Sequence, residues 1–416
     1  MEIKIKSVRE FDLKGKKVLF RPDINSPIDP VTKSIVNVNR IQKNAPTLKF
    51  LLDSGAAVAI IAHQGDTLDY QNLISMQEHA QKISEASGYP VRYIDDVCGD
   101  AAVDAVKNLK GGECVFLGNL RYLTEEVSTF EKDVKLTPEE MKDTYLIRRL
   151  APLFDLYVND AFSAAHRNCP SMTGFQQILP SAAGFQFFDE YSALSAVRDN
   201  AKHPAVFVLG GAKISDAFGM METVLKNGTA DKILTTGITG IIMLIASGVE
   251  VGDKMLKFLK DRDLLVFVDA AKKYLAEYSG QIEIPVDVAV KVNGTRAEIP
   301  VSQMPMDTLY PDIGTETVRK YSHILKSAGT IFANGPAGVY EDPLFSFGTK
   351  GIWQAIADSD GYSVIGGGDT VNSATAFIDM NKISYVCTAG GALIRFMSGK
   401  KLPLVDAMEK AYGGIK

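Results

Sequence analysis

Short apolar runs alternate with amphipathic, helix-compatible segments along most of this chain. In the first half, residues 17–20, 57–62, 114–117 and 156–158 read as strands, each a brief apolar run that stops at polar or turn-forming residues. Between them, residues 41–52, 74–87 and 138–150 carry helical spacing, with Pro46 tolerated only in the first turns of its helix. One amphipathic helix is expected over 188–200, stopping before Lys202-His203-Pro204, and a domain junction is placed there. The alternation then restarts, with strands expected at 205–209, 233–235, 264–268, 330–333, 364–365 and 385–387. Such alternation predicts an α/β protein of two Rossmann-like domains, each a parallel sheet with helices on both faces, joined by an interdomain helix and hinge. No internal repeat or low-complexity tract interrupts it.

In sheets of this kind ligands bind beyond the C-terminal ends of the strands, so the residues that follow each strand are the informative ones. In the first half they are Arg21, Asp23, Ile24 and Asn25; then His63, Gln64, Gly65 and Asp66; then Asn119-Leu120-Arg121; then Asn159-Asp160-Ala161-Phe162 running on to His166-Arg167. Arg40 stands before the first helix. A lone arginine after a strand is ordinarily a solvated surface group. Four able to reach one rim suit a small, multiply charged anion, because guanidinium offers a bidentate fork to phosphate or carboxylate. His63 and His166 have no framed serine or cysteine nucleophile, so they read as polar wall residues.

The second half opens its strands onto glycines instead. Residues 362–365 form a β-branched run that stops at Gly366, Gly367 and Gly368, followed by Asp369-Thr370 and a helix-compatible segment. Bare backbone at a helix start leaves N–H groups unpaired at the positive end of the helix dipole, a seat for phosphate, and Asp369 is placed to hold Mg2+. The plain alternative is a tight turn with Asp369 as helix cap. Gly210-Gly211-Ala212-Lys213 ends another strand, and Lys213 there reads as a mobile point charge facing a phosphate. Glu341, after Asn334-Gly335-Pro336, is either a solvated acid or an acceptor for ribose hydroxyls.

Length and composition change this picture little. A chain of 416 residues, 46% hydrophobic and 23% charged, fits two globular domains with large cores. A net charge of −5 argues against nucleic-acid binding, so an anionic substrate has to be gathered locally. Cys98, Cys114, Cys169 and Cys387 form no C-x-x-C pair and are expected as reduced thiols of a cytoplasmic protein. The start of the chain lacks the apolar stretch of a signal peptide, and the longest apolar run, 233–249, is broken by three glycines and four hydroxyl residues, which suits buried α/β elements better than a membrane span. The chain has neither G-x-G-x-x-G for a nicotinamide-dependent dehydrogenase nor G-x-x-x-x-G-K-[ST] for a P-loop NTPase. A non-catalytic anion-binding scaffold is the remaining alternative.

Taken in order, seven segments resemble the phosphoglycerate kinase family, and its archaeal branch most. They are Arg21-x-Asp23-x-Asn25-x-Pro27, Arg40-Ile41, Asn119-Leu120-Arg121, Asn159-Asp160-Ala161-Phe162 with Ala165-His166-Arg167, Gly210-Gly211-Ala212-Lys213, Asn334-Gly335-Pro336-x-Gly338-Val339-x-Glu341 and Gly366-Gly367-Gly368-Asp369-Thr370. The resemblance implies reversible phosphoryl transfer from 1,3-bisphosphoglycerate to ADP, with Mg2+. It implies a phosphoglycerate-binding domain over 1–184 with a C-terminal return of 396–416, an interdomain helix and hinge over 185–203, and a nucleotide-binding domain over 204–395. Phosphoglycerate would be held by Arg21, Asp23, Ile24, Asn25, Arg40, His63, Gln64, Gly65, Asp66, Arg121, His166 and Arg167. Nucleotide would be held by Gly210, Gly211, Lys213, Asn334, Pro336, Glu341, Gly366, Gly367, Gly368, Asp369 and Thr370, with Asp369 on the metal. Arg40, Lys213 and the backbone near Gly368 and Gly391 would steady the transferring group. The expected partners are these small molecules alone, with no nucleic acid and no membrane, in a monomer, a dimer being left open. Three positions depart from the family pattern: Asp66 where arginine is common, Ala217 where a lysine is usual, and Cys169 where a second histidine is usual. Arg148 or Arg149 is a candidate to restore the lost charge.

Overall fold

The computed structural model describes residues 3–65 and 73–412. It divides into two compact units, residues 2–192 with 401–416 and residues 193–400. The chain passes between them inside the helix Phe185–Arg198 and again after Lys400.

The first unit carries β1 (Lys17–Arg21), β2 (Ala57–Ile61), β3 (Val91–Ile94), β4 (Cys114–Leu117), β5 (Leu156–Asn159) and β6 (Ser181–Ala183) in the order β3-β4-β2-β1-β5-β6, every pairing parallel. Successive side chains on a strand point to opposite faces, and both faces are covered here. Val18, Phe20, Val58, Ile60 and Val158 pack with Ile41, Leu48 and Ile83 from the helices Asn39–Asp53 and Gln77–Ser87. Leu19, Ala59, Val115 and Tyr157 pack the other way, onto Val106, Leu146, Ile147 and Leu150. The C-terminal helix Pro403–Tyr412 joins this unit, with Leu404 N–H on the Ala165 carbonyl (3.2 Å) and Tyr191 Oη donating to Glu409 (2.8 Å).

The second unit carries β7 (Ala205–Leu209), β8 (Lys232–Thr235), β9 (Ile282–Glu283), β10 (Asp287–Val292), β11 (Thr295–Pro300), β12 (Asp312–Ile313), β13 (Thr330–Asn334), β14 (Tyr362–Gly366) and β15 (Tyr385–Cys387). Six of them form a second parallel sheet, β15-β14-β13-β7-β8-β9. On one face Val206, Ile331 and Ile365 pack against Tyr321, Leu325, Trp353 and Ile356. The other three, β11-β10-β12, make a small antiparallel sheet that the alternation did not predict. Among the described residues no helix is long and apolar enough to cross a membrane.

Two expected elements are corrected. Residues 264–268 are not a strand. They form a 3-10 turn, Leu265–Phe267, leading into the helix Val268–Glu277, where Phe267 packs at a tilt against Phe218 at 5.1 Å while Val266 is exposed. The helix expected over 138–150 is interrupted at Thr144, which is extended. Glu125 takes the N–H groups of Tyr145 and Leu146 (3.1 and 2.6 Å), so the segment restarts as Tyr145–Leu150.

Candidate active site

In the first unit the functional side chains are held at the C-terminal ends of β1, β2, β4 and β5 and in the loops beyond. Arg21 closes β1 and is 2% exposed; it donates to the Pro22 carbonyl (2.6 Å) and to His63 Nδ1 (2.6 Å). A guanidinium only donates, so Nδ1 accepts and the imidazole carries its proton on Nε2. Burial pushes the His63 pKa well below its ordinary value, and the charges of Arg21, Arg121, Arg167 and Arg40 push it in the same direction. The same four arginines therefore act on one ring. Asp23, buried, takes an ion pair from Arg40 at 3.2 Å. Asn44, which sequence reasoning missed, latches both: its amide donates to the carbonyls of Asp23 and Arg40 and accepts the Asp23 N–H. Arg40 lies in the first turn of the helix Asn39–Asp53, not before it.

Arg121 is buried, donating to the Glu126 and Gly65 carbonyls (2.5 and 3.4 Å), and burial followed by the charge of Arg167 brings its pKa down to about 10. Arg167 pairs loosely with Glu131 at 3.5 Å. Its Nε, and that of Arg21, is buried without a hydrogen-bond partner among the described residues. Buried N–H groups of a charged side chain that lack an acceptor mark where an anion would be welcome. Behind them lies a second missed residue, Glu126, which accepts from Ser171 N–H (2.6 Å), Ser171 Oγ (2.7 Å) and Cys169 Sγ (3.5 Å). Burial raises its pKa against those hydrogen bonds and against Arg21 and Arg121. Cys169 is thus a buried structural thiol, raised by burial and then Glu126 to about 12.

Other expected contact residues have these surroundings. Ile24 is fully buried in the core and its carbonyl accepts from Ser26 Oγ, so it offers a ligand no side chain. Gln64 is spent on the main chain of Ser26 at both ends of its amide (2.9 Å each) and on His79 (2.9 Å), a clamp within the wall. Asn25 accepts Gly65 N–H at 3.4 Å, and His166 is half-buried beside Arg167. Asp66 lies outside the described residues. Arg149 does not replace a missing charge: it is committed to Asp100 (2.6 Å) and the Cys98 carbonyl (3.0 Å). Arg148 is exposed.

In the second unit the site is made of main chain. β14 ends at Gly366, Gly367 is the N-cap of the helix Gly368–Phe377, and its side-chain-free start makes no cap bond. Asp369 is therefore not the cap; its side chain stands 69% exposed in the first turn, 3.6 Å from Lys213 Nζ. The three glycines are glycine for different reasons. A Cβ on Gly366 would run into Leu393; Gly367 has φ +100°, with Asn334 Nδ2 2.8 Å from where its Cβ would be; Gly368 faces open space. Only the last leaves room for a ligand. Asn334 Nδ2 donates to the Gly366 carbonyl (2.7 Å), and Gly335 N–H donates to buried Thr370 Oγ1 (2.8 Å). Asn334 and Thr370 thus fasten β13 to β14. Gly210 N–H donates to the Asn334 carbonyl and Gly211 N–H to that of Pro336, which brings the Lys213 turn alongside. Glu341 is exposed, and its charge, with that of Asp369, adds to burial in raising the Tyr340 phenol. Gly391 opens the helix Gly391–Met397, and space beside it is open. Ala217 is buried against the core.

A family model described as phosphoglycerate kinase matches residues 8–400. The chain is 41% identical to the phosphoglycerate kinase of Methanothermus fervidus over 408 residues, covering 98% of each. Among solved structures it is similar to phosphoglycerate kinase from Pyrococcus horikoshii OT3 (TM-score 0.84, 36% identity, 98% of this chain and 100% of that one). It is also similar to phosphoglycerate kinase from Coxiella burnetii (TM-score 0.83, 29% identity, 98% and 99%).

Proposed function

The chain belongs to the phosphoglycerate kinase family, and from that membership we propose how its own residues divide the work. It transfers a phosphoryl group reversibly between 1,3-bisphosphoglycerate and ADP, yielding 3-phosphoglycerate and ATP. Arg21, Arg40, Arg121, Arg167 and His63 bind the phosphoglycerate, with Asp23 and Asn25 ordering the cations. The observation that carries this is a cluster of buried guanidinium groups around His63: Arg21 donates to its Nδ1 at 2.6 Å, Arg121 reaches the Gly65 carbonyl, and the Nε groups of Arg21 and Arg167 are buried without a hydrogen-bond partner among the described residues. A polyanion is the ligand that relieves such confinement of like charge. His63, neutral and accepting at Nδ1, donates from Nε2.

Nucleotide phosphates sit at the start of the helix Gly368–Phe377, faced by Lys213, with Glu341 toward the ribose. Asp369 suits Mg2+: it is a single exposed carboxylate, and magnesium is commonly bound by one or two carboxylates plus substrate phosphates and water. Among the described residues no cluster of three potential ligands would form a protein-only metal cage. The chemistry the ion supplies when bound is neutralisation of phosphate charge.

Phosphoryl transfer needs positioning and charge neutralisation more than covalent help. The acceptor, a nucleotide phosphate, is already ionised, so no strong general base is required. Arg40 and Lys213 steady the equatorial oxygens while the donor and acceptor are held in line. Four cysteines, all buried, support a reducing cytoplasmic setting. The decisive experiment is a coupled assay for ATP formation from 1,3-bisphosphoglycerate and ADP. Its outcome under this reading is Mg2+-dependent turnover; absence of turnover by folded protein would leave the anion-binding scaffold.

A further inference from the structure

The small antiparallel sheet has no part in the reading above, yet its most connected side chain reaches the nucleotide loop. Arg296 on β11 donates from Nη1 to Asp312 Oδ2 (2.8 Å) and to the Leu344 carbonyl (3.1 Å), and from Nη2 to Glu298 (2.9 Å) and the Ile313 carbonyl (2.9 Å). Its guanidinium lies 5.1 Å from the Phe347 ring. Asp312, on β12, has a fully buried side chain and accepts Gly348 N–H at 2.8 Å. A Cβ on Gly338 or on Gly348 would run into the Asp312 carboxylate. Both ends of loop 338–348 therefore wrap around one carboxylate, and one arginine neutralises it. Val339 N–H on the Pro311 carbonyl (2.8 Å) adds a main-chain tie next to it.

Loop 338–348 carries Glu341, and between its fixed ends Tyr340 packs edge-on against Phe377 of the phosphate-binding helix at 6.3 Å. We infer that Arg296 is a positioning residue for nucleotide binding: through Asp312 and the Leu344 carbonyl it holds the loop that presents Glu341, without touching the nucleotide itself. This rests on the assignment of Glu341 to the ribose. The physical case is that a buried carboxylate demands its partner. Without the guanidinium, Asp312 has an uncompensated charge and the Leu344 carbonyl has lost a donor, so the loop relaxes away from its single geometry.

The test compares Arg296→Met, Arg296→Lys, Glu341→Ala and the double variant Arg296→Met/Glu341→Ala in the full-length enzyme. KM and calorimetric affinity are measured for MgADP and for 3-phosphoglycerate. Arg296→Met is expected to weaken MgADP about tenfold, the usual scale for loss of a supporting contact, with kcat and the 3-phosphoglycerate KM within about twofold. Arg296→Lys, which keeps the charge but cannot fork, should recover part of that loss, and it carries the test if the methionine variant does not fold. In the Glu341→Ala background the Arg296→Met loss should largely vanish, because coupled residues are not additive. Equal weakening of both substrates, or unchanged MgADP affinity in Arg296→Met and Arg296→Lys, would overturn the proposal while leaving Glu341 in place. An innocuous Glu341→Ala would instead overturn the ribose assignment on which it rests.

Discussion

The candidate site in residues 2–192 is built from charged side chains, whereas the one in residues 193–400 is built from main chain. Arg21 and Arg121 are buried, and together with Arg167 and Arg40 they crowd positive charge onto His63. Such an arrangement is costly for the buried members, Arg21 and Arg121, whose like charges are confined away from water. The glycine seat pays no such electrostatic cost. Lys213 and Asp369 stand largely in solvent, 3.6 Å apart, and the shape is set by Gly367 and by ties such as Asn334 to the Gly366 carbonyl. One half should thus be sensitive to charge and tolerant of size, the other sensitive to a single methyl and tolerant of charge at a distance.

The largest effect expected is on the charged side. Arg40→Ala should leave the fold intact and lower kcat by a factor on the order of 10² or more, as for other lost contacts to transition-state charge. Near-normal turnover would take Arg40 out of the reaction and weaken the contrast. On the main-chain side, Gly367→Ala imposes a side chain at φ +100° with Asn334 Nδ2 2.8 Å from the new methyl. Strain of this kind costs about 1–3 kcal/mol. Nucleotide affinity should fall by roughly tenfold or more, the equivalent of such an energy, with 3-phosphoglycerate binding preserved in calorimetry. Asp369→Ala should weaken Mg-nucleotide by about tenfold, the scale of a charge-assisted contact, and spare 3-phosphoglycerate. Equal loss for both ligands would refute the division between the halves.

Much of this organisation is legible in the sequence because both sheets are parallel and buried on both faces. Their central strands read as continuous apolar runs, and the motif residues stand where those runs stop. What was not legible is what depends on neighbours remote in sequence. Edge strands such as β3, β6 and β9 are short or half-polar, so periodicity passes over them. The β10–β11 hairpin did leave a signal, Asn293-Gly294 between alternating residues, and both adopt positive φ (48° and 83°) as a tight hairpin turn requires. Gln64, Asn334 and Thr370 stand out in the sequence only as motif residues, and the ties they also make, Gln64 Nε2 to the Ser26 carbonyl, Asn334 Nδ2 to the Gly366 carbonyl and Thr370 Oγ1 from Gly335 N–H, could not be read there. Glu126, Asn44 and Asp312 were invisible because nothing local announces a carboxylate or amide that will be buried against an arginine or a main chain far along the sequence.

A smaller and opposite-signed effect tests the charged half from behind. The Glu126 carboxylate lies buried near Arg21 and Arg121 and offsets part of their field. Glu126→Gln keeps the shape and removes the charge. Free enzyme should lose about 1–3 kcal/mol of stability, since the buried Ser171 donors lose an acceptor and the arginines a counter-charge. Phosphoglycerate, facing a more positive pocket, should bind tighter by a few-fold at an effective dielectric of about 20. Weaker binding in a folded variant would mean that Glu126 orders the arginines and that its charge is incidental.

The smallest expected effect is the pH dependence of His63. Its folded-state pKa is depressed below the ordinary value of 6.5 by burial and then by Arg21, Arg121, Arg167 and Arg40. Below that ordinary value the unfolded chain takes up a proton that the folded ring refuses. Stability conferred by the neutral ring is therefore fully present above 6.5 and is lost as pH falls toward the folded-state value. Asp160, buried and raised to about 7, slopes the opposite way between its ordinary 3.8 and 7, so the raw curve of the wild type mixes the two. The difference between His63→Gln and wild type isolates the histidine, provided the two sites act independently. That difference should be flat above neutrality and move in favour of the variant on acidification, by at most about 1.4 kcal/mol per pH unit for a single proton. Saturating 3-phosphoglycerate should shrink it, because a bound anion among the arginines lets the ring accept its proton. A difference that is unchanged by the ligand would place the anion away from His63, and the charged half would lose the feature that sets it apart from the glycine seat.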